Sequence, residues 1–97
     1  MLDWDLWHAL LQVVRQGTYR GAAKVLKIDP TTIGRKIKKL ERQLGYQLFV
    51  RHNGRLHPTG QCEALLPRLD QVATALRQID VENSENEAAG LWRETKI

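Results

Sequence analysis

The segment between Asp29 and Gly45 contains the signals that begin and end an α-helix, with a single apolar face between them. Asp29 is a favourable N-cap, and Pro30 suits the first helical position, where its missing N–H removes no helical hydrogen bond. Gly45 can adopt the left-handed conformation that ends many helices. The apolar residues recur at helical spacing and are Ile33, Ile37, Leu40 and Leu44. The sequence therefore predicts a helix over about residues 30–44 that packs by one side.

The opposite side of this predicted helix is rich in hydroxyls and cations. Its centre carries Thr31, Arg35, Lys38 and Arg42, and its flanks carry Thr32, Lys36 and Lys39. Most charged helix faces are only solvated, but this one has almost no carboxylate to balance its cations. A face of this kind suits the major groove of DNA, which admits an α-helix. The pattern favours a recognition helix over a solvated surface helix.

Positive charge is concentrated around this segment. Residues 15–57 contain eleven Lys or Arg and two acidic residues, whereas residues 1–14 and 58–97 carry net charges of −2 and −3. Such an asymmetry indicates a polyanionic partner. Nucleic acid is favoured over a membrane surface, because no segment combines a basic face with exposed Trp or Phe on its other face.

Two amphipathic segments precede the predicted recognition helix. Asp3 or Asp5 can begin a helix over residues 3–16, which Gly17 would end. Its apolar residues, including two tryptophans that we expect in the core, are Trp4, Trp7, Leu10, Leu11 and Val14. A second short helix, begun by Thr18 or a nearby residue, would contain Ala22, Ala23, Val25 and Leu26. This second helix and the predicted recognition helix are joined by a tight turn, and the recognition helix has a basic face. The pair therefore predicts a helix-turn-helix.

A change to strand periodicity follows the predicted recognition helix. Residues 46–52 and 55–57 flank Asn53-Gly54, the strongest short signal for a β-hairpin with a type I′ turn. In this position a two-stranded ribbon would form a wing. Arg51 and Arg55 lie near its tip, within reach of a phosphate or the minor groove. We expect a phosphate contact from Arg51, whereas for Arg55 a contact and a purely solubilising role are equally open.

A long helix is predicted over about residues 59–82, which would span roughly 36 Å. Its apolar residues form a seam typical of helix against helix and are Cys62, Leu65, Leu69, Val72, Leu76 and Ile79. Because residues 1–58 are too few to cover this length, a second copy of the chain is the expected partner. Pro67 is expected to kink the helix or to make it restart. The polar, acidic residues 81–87 are expected to fray or to be disordered.

Length and composition exclude several classes of protein. The 97 residues suit one small domain with an appended element. No apolar stretch approaches the roughly 20 residues that cross a bilayer, and the N-terminus lacks a signal-peptide pattern. The lone cysteine fits a reducing cytoplasm, where we expect the protein to be located. His52 and His57 alone would be an incomplete metal site, and no catalytic triad or cofactor fingerprint is visible. We therefore expect no enzyme, no metal and no cofactor.

Residues spread over about positions 1–80 match the pattern of one protein family. They are Gly17-Thr18-Tyr19, Ala22-Ala23, Leu26, Ile33, Arg35, Ile37, Leu40-Glu41, Leu44-Gly45, Leu48-Phe49, Arg51 and Pro58-Thr59-Gly60. With these residues the chain resembles the N-terminal DNA-binding module of LysR-type bacterial transcription regulators. The resemblance implies a mainly α fold, a winged helix-turn-helix of three helices and a short hairpin over residues 1–58. It also implies a dimerising linker helix over residues 59–82.

In that family a large effector-binding domain follows the linker helix. Residues 83–97 would be a polar tail leading toward it, and Gly90-Leu91-Trp92-Arg93 resembles the approach to its first strand. The chain is therefore expected to be the DNA-binding portion without that domain. No small-molecule effector is expected to bind this portion.

Four features depart from the family pattern. Asp29-Pro30-Thr31 stands where Ser-Gln-Pro or similar is typical, so a glutamine that could contact a base edge is absent. Gly34 replaces a small hydroxyl residue and lowers helix propensity by about 1 kcal/mol relative to Ala. Arg20 occupies a position usually given to Ser or Thr before the second helix. The wing is shorter than usual, and His57 replaces a Thr at its base.

These observations predict a dimeric module that binds double-stranded DNA with sequence specificity, with the helix over 30–44 in the major groove and the wing over 46–57 on the backbone or minor groove. The predicted DNA-binding residues are Arg20, Thr31, Thr32, Arg35, Lys36, Lys38, Lys39, Arg42, Arg51 and Arg55. The predicted dimerisation residues are Leu65, Leu69, Val72, Leu76 and Ile79. The alternative is a winged-helix module for protein interaction that does not bind specific DNA.

Overall fold

Helices and one β-hairpin make up the part of the chain that the structure describes. The computed structural model describes residues 3–89, and it describes side-chain surroundings over residues 3–79. The elements are α1 (Trp4–Gln16), α2 (Tyr19–Leu26), α3 (Pro30–Leu44), β1 (Phe49–His52), β2 (Arg55–Pro58) and α4 (Gly60–Ala89). This is the predicted order of three helices, a wing and a long helix. Within the described residues, no helix is both long and apolar enough to cross a membrane.

Side chains cap the N-termini of the first three helices. Asp3 accepts a hydrogen bond from a backbone N–H of the first turn at 3.1 Å, Thr18 accepts one at 3.0 Å, and Asp29 accepts one at 2.7 Å. The predicted caps are therefore confirmed, and each contributes about 1 kcal/mol to helix stability. The same helices end at residues in the left-handed conformation, which are Gly17, Lys27 and Gly45.

The core lies between α1, α2 and α3. The apolar face predicted for α3 is buried at Ile33, Ile37 and Leu40, whereas Leu44 is only half-buried. The Ala22-Ala23 pair of α2 is also buried, and its small side chains let the neighbouring helices approach closely. Each fully buried Leu or Ile side chain contributes about 1.5–3 kcal/mol by leaving water. This burial fixes which face of α3 remains exposed.

The two N-terminal tryptophans lie at the edge of the core, not inside it. Leu6, Leu10 and Val13 of α1 face α2 and α3 and are buried. Trp4 and Trp7 project from another side of α1, where they are half-buried beside α4. The prediction that they belong to the core is therefore wrong in part, because α1 packs against neighbours on two of its faces.

The wing is a short antiparallel hairpin. Its two strands pair from Phe49 with Pro58 to His52 with Arg55. Asn53 and Gly54 both have positive φ angles, of 51° and 76°, which confirms the predicted type I′ turn.

The first strand of the wing begins at residue 49, later than the predicted residue 46. The residues before this strand form hydrogen bonds outside the hairpin. The Leu48 N–H donates to the Glu41 carboxylate at 2.8 Å. The Gln47 carbonyl also accepts from Thr59 Oγ1 at 2.8 Å, and the Leu48 carbonyl accepts from the Thr59 N–H at 2.9 Å. These contacts fix the wing to α3 and to the start of α4.

Helix α4 is longer than predicted. Thr59 caps its N-terminus by accepting from the Cys62 N–H at 3.2 Å, and the helix continues to Ala89. It therefore extends past the predicted end near residue 82, into residues that were predicted as a polar tail. The expected fraying over residues 81–87 stays a prediction. The helix passes Pro67 as one element, so the expected restart does not occur there. The motif at residues 90–93 lies outside the described residues.

Candidate nucleic-acid interface

The exposed side of α3 borders a shallow concavity with a volume of about 500 Å³. It is lined by Tyr19, Pro30, Thr31, Gly34, Arg35, Lys38 and Arg42. The structure thus brings together the four residues predicted for the centre of the basic face. None of the lining residues is acidic, so the cations have no balancing carboxylate within the surface. We call this concavity the recognition surface.

The flanks of α3 differ from the prediction in one respect. Lys39 is exposed, and Thr32 is half-buried. The Lys36 ammonium instead forms an ion pair with the Asp5 carboxylate of α1, and its side chain is only 22% exposed. The two lysines therefore differ in charge environment, although both were predicted to contact DNA.

Tyr19 is a part of the recognition surface that the sequence did not reveal. It is the first residue of α2 and is half-buried, and its ring lies beside Gly34. A Cβ atom at Gly34 would lie 3.4 Å from Tyr19 Cε2, so the missing side chain leaves space next to the ring. The available signal was a tyrosine close to a helix-turn-helix turn, which does not identify its neighbour on α3.

Charged groups from two elements surround the Tyr19 phenol. Burial raises the pKa of Tyr19 above its usual value of 10, the Glu41 carboxylate raises it further, and the Arg51 guanidinium lowers it. The phenol is therefore a neutral hydrogen-bond donor at physiological pH. Arg51 shares a face of β1 with the buried Phe49, which places it on the side of the wing that faces the helices.

The second arginine of the wing lies against the end of α1. Arg55 Nη2 donates to the Gln16 carbonyl at 3.3 Å, and its guanidinium covers Gly17. Next to it, the Leu56 N–H donates to the Gly17 carbonyl at 3.0 Å. Arg55 thus helps to attach the wing to α1, whereas Arg51 lies toward the recognition surface.

The remaining predicted polar residues are placed as follows. Arg20 is exposed on the first turn of α2. The rings of His52 and His57 are 6.0 Å apart between centroids. No third ligand joins them, since residues with described side chains include no cluster of three or more His, Cys, Asp or Glu that could hold a metal ion.

The residues predicted for dimerisation differ in exposure. Leu69 is only 5% exposed and packs within its own chain, and Leu65 and Leu76 are half-buried. Val72 and Ile79 are 39% and 50% exposed. Beside them is a groove of about 180 Å³, lined by Trp4, Trp7, Leu65, Arg68, Leu69 and Val72. Apolar side chains of α1 and α4 that are half-buried or exposed form a strip, which we define by Trp4, Trp7, Leu65, Val72 and Ile79.

Comparison with known proteins identifies relatives of the whole helix-turn-helix region. The family model described as "Bacterial regulatory helix-turn-helix protein, lysR family" matches residues 4–63. The Mau operon transcriptional activator of Paracoccus denitrificans is 35% identical over 86 residues, which are 89% of this chain and 30% of that protein.

Solved structures show the same fold. ArgP from Mycobacterium tuberculosis has a TM-score of 0.76 and 31% identity, over 87% of this chain and 32% of that one. The BenM DNA-binding domain, solved in complex with catB site 1 DNA, has a TM-score of 0.77 and 22% identity, over 92% and 95% of the two chains. The present chain thus spans about a third of the longer relatives.

Proposed function

The chain belongs to the lysR family of bacterial regulatory helix-turn-helix proteins, and from this membership we propose that it binds double-stranded DNA with sequence specificity as the DNA-binding module of a transcription regulator. The observation that carries the proposal is the recognition surface, where Thr31, Arg35, Lys38 and Arg42 are exposed together without an acidic residue. The BenM domain, which has this fold, is a DNA-binding domain solved with its DNA. A helix that presents such a face fits the major groove.

The position of each side chain along α3 suggests its role. Thr31, Thr32 and Arg35 lie in the first turns, which enter the groove most deeply in helix-turn-helix proteins. We assign to Arg35 a contact with a base edge, of which guanine is the commonest partner for arginine. Lys38 and Arg42 lie farther along, where contacts with the phosphate backbone are expected.

The wing and the flanks of α3 contribute unequally in this proposal. Arg51 and Lys39 are exposed and contact phosphates. Arg55 is engaged by the Gln16 carbonyl, and Lys36 is paired with Asp5, so these two cations contribute mainly long-range attraction. Arg20, exposed at the start of α2, lies where the first helix of the motif crosses the DNA backbone.

The test begins with selection of bound duplexes from a random library, followed by titrations of the selected duplex at several salt concentrations. Arg35→Ala should weaken binding by about 1–3 kcal/mol and relax the preference at one base pair. Lys39→Ala should weaken binding to all sequences alike and reduce the slope of log K against log salt by about one. Lys36→Ala is the matched control and should change that slope less.

Two outcomes would contradict these assignments. Equal, sequence-independent losses from Arg35→Ala and Lys39→Ala would remove the distinction between base and backbone contacts. Failure of the wild-type chain to bind any duplex, even at low salt, would favour the protein-interaction module instead.

We also propose that the chain forms a homodimer through α4. Val72 and Ile79 remain exposed on the seam although Leu69 is buried in the same chain, and a second copy offers an identical apolar strip. Ile79→Glu should therefore give monomers in sedimentation, and it should lower affinity for a duplex with two half-sites more than for a single half-site. Gln78→Glu adds the same charge at the neighbouring exposed position and should leave the dimer intact. An Ile79→Glu variant that remains dimeric would place the interface elsewhere.

A further inference from the structure

The Tyr19 hydroxyl has no hydrogen-bond partner among the described residues. The Tyr19 residue is half-buried and lines the recognition surface, and the hydroxyl of a buried tyrosine usually finds a hydrogen-bond partner. Glu41 Oε2 accepts a hydrogen bond from the Leu48 N–H, and neither oxygen of this carboxylate accepts one from Tyr19. The phenol is therefore a donor that the chain itself leaves unused.

Three elements converge around this donor. Tyr19 begins α2, Gly34, Lys38 and Arg42 belong to α3, and the Arg51 guanidinium approaches from β1. The first turn of α2 contains no acidic residue, so its positive helix dipole is not offset there. The three cations Lys38, Arg42 and Arg51 outnumber the single nearby carboxylate, that of Glu41. The net charge around the phenol is therefore positive and favours an anion, to which the neutral phenol can donate.

We propose that the Tyr19 hydroxyl donates a hydrogen bond to a phosphate of the DNA backbone and thereby fixes the position of α3 in the groove. This inference rests on the proposed DNA binding. The ring lies directly beside α3 at Gly34, where an added Cβ would be 3.4 Å from Tyr19 Cε2. A phosphate is favoured over a base edge because the first helix of a helix-turn-helix crosses the backbone while the second enters the groove.

Tyr19→Phe tests the proposal because it removes only the hydroxyl. Affinity for the selected duplex should fall about tenfold, the effect of one hydrogen bond to a charged acceptor. The loss should be equal for all sequences, and the salt slope should not change because no charge is removed. Arg51→Ala should instead reduce that slope by about one. Tyr46→Phe, a half-buried tyrosine outside the recognition surface, is the matched control and should bind like the wild type.

A second measurement separates a phosphate contact from a structural role. In the selected duplex, single phosphates are replaced in turn by uncharged methylphosphonates. One replacement should weaken the wild type but have little further effect on Tyr19→Phe, while the melting temperature of Tyr19→Phe stays near that of the wild type.

The outcomes are distinguishable. Wild-type binding with an unchanged Tyr19→Phe affinity would overturn the inference and leave the proposed function standing. The inference would also fail if Tyr19→Phe relaxed the preference at one base pair, which would indicate a base contact. It would fail as well if every methylphosphonate weakened binding by Tyr19→Phe as much as it weakens binding by the wild type. Absence of DNA binding by the wild type would refute the proposed function itself.

Discussion

Gly21 and Gly34 both lie inside helices, where glycine is about 1 kcal/mol less favourable than alanine, but an added methyl group would meet different surroundings. At Gly34 the new Cβ would lie 3.4 Å and 3.7 Å from two ring carbons of Tyr19, at van der Waals contact. At Gly21 it would lie 2.9 Å from Gln16 Cβ and 3.1 Å from Thr18 Oγ1. Gln16 Cβ is fixed to the end of α1 and cannot move away as a flexible side-chain end could.

The two alanine variants should therefore change stability in opposite directions. Gly34→Ala should raise the free energy of unfolding by about 0.5–1 kcal/mol, because it gains helix propensity without a clash. For a domain of this size the melting temperature should rise by about 4 °C. Gly21→Ala gains the same propensity, but overpacking of about 1–3 kcal/mol outweighs it. We expect the free energy of unfolding to fall by about 1 kcal/mol in total, because relieving the clash at residue 21 also disturbs the Thr18 cap.

Thermal and urea unfolding followed by circular dichroism would measure both changes, at one protein concentration because self-association alters apparent stability. Propensity alone predicts that both variants are stabilised, so a stabilised Gly21→Ala would refute the packing derived for the corner between α1 and α2. A destabilised Gly34→Ala would refute the placement of the Tyr19 ring beside α3.

Two further substitutions test local features of the fold. Asp29→Ala should lower the free energy of unfolding by about 1 kcal/mol because it removes the acceptor of the Thr31 N–H, while Asp29→Asn should retain most of that stability in the same melts. Burial raises the pKa of the Cys62 thiol from 9.0 to about 11, so stability that depends on the neutral thiol is fully present below pH 9 and is lost as the pH rises toward 11. Urea titrations at pH 8 to 11 should therefore show a steeper loss in the wild type than in Cys62→Ala, and equal slopes would contradict the buried thiol.

The features that the sequence predicted correctly depend on residues close together in the chain. A cap such as Asp29 acts on an N–H two residues away, and the Asn53-Gly54 turn needs only its own two positive φ angles. The apolar spacing of α3 likewise determines which side is buried once any core forms. The recognition surface was predictable for this reason, since its cations lie opposite that spacing on a single helix.

The features that were missed join residues far apart in the chain. Lys36 with Asp5 and Arg55 with the Gln16 carbonyl are separated by 31 and 39 positions, and Tyr19 and Gly34 belong to different helices. Whether such groups meet depends on the angles and distances between packed elements, which residue periodicity does not contain. A cation on a helix flank or a hairpin tip, such as Lys36 or Arg55, can find a partner within the protein that the sequence does not reveal.

The tryptophans of α1 show how the same limitation bears on assembly. The helical spacing of its apolar residues shows that α1 is broadly apolar. It does not show that α1 has two apolar faces, one with Leu6 and Leu10 buried against α2 and α3, and one with Trp4 and Trp7 beside α4. Helix α4 covers the second face only in part, since Trp4 and Trp7 stay half-buried beside it. Large aromatic surfaces and the exposed Ile79 then remain in water, which is unfavourable in proportion to their apolar area. A second copy that covers this strip would remove that penalty, so the half-burial of the tryptophans and the excess length of α4 have the same explanation in the proposed dimer.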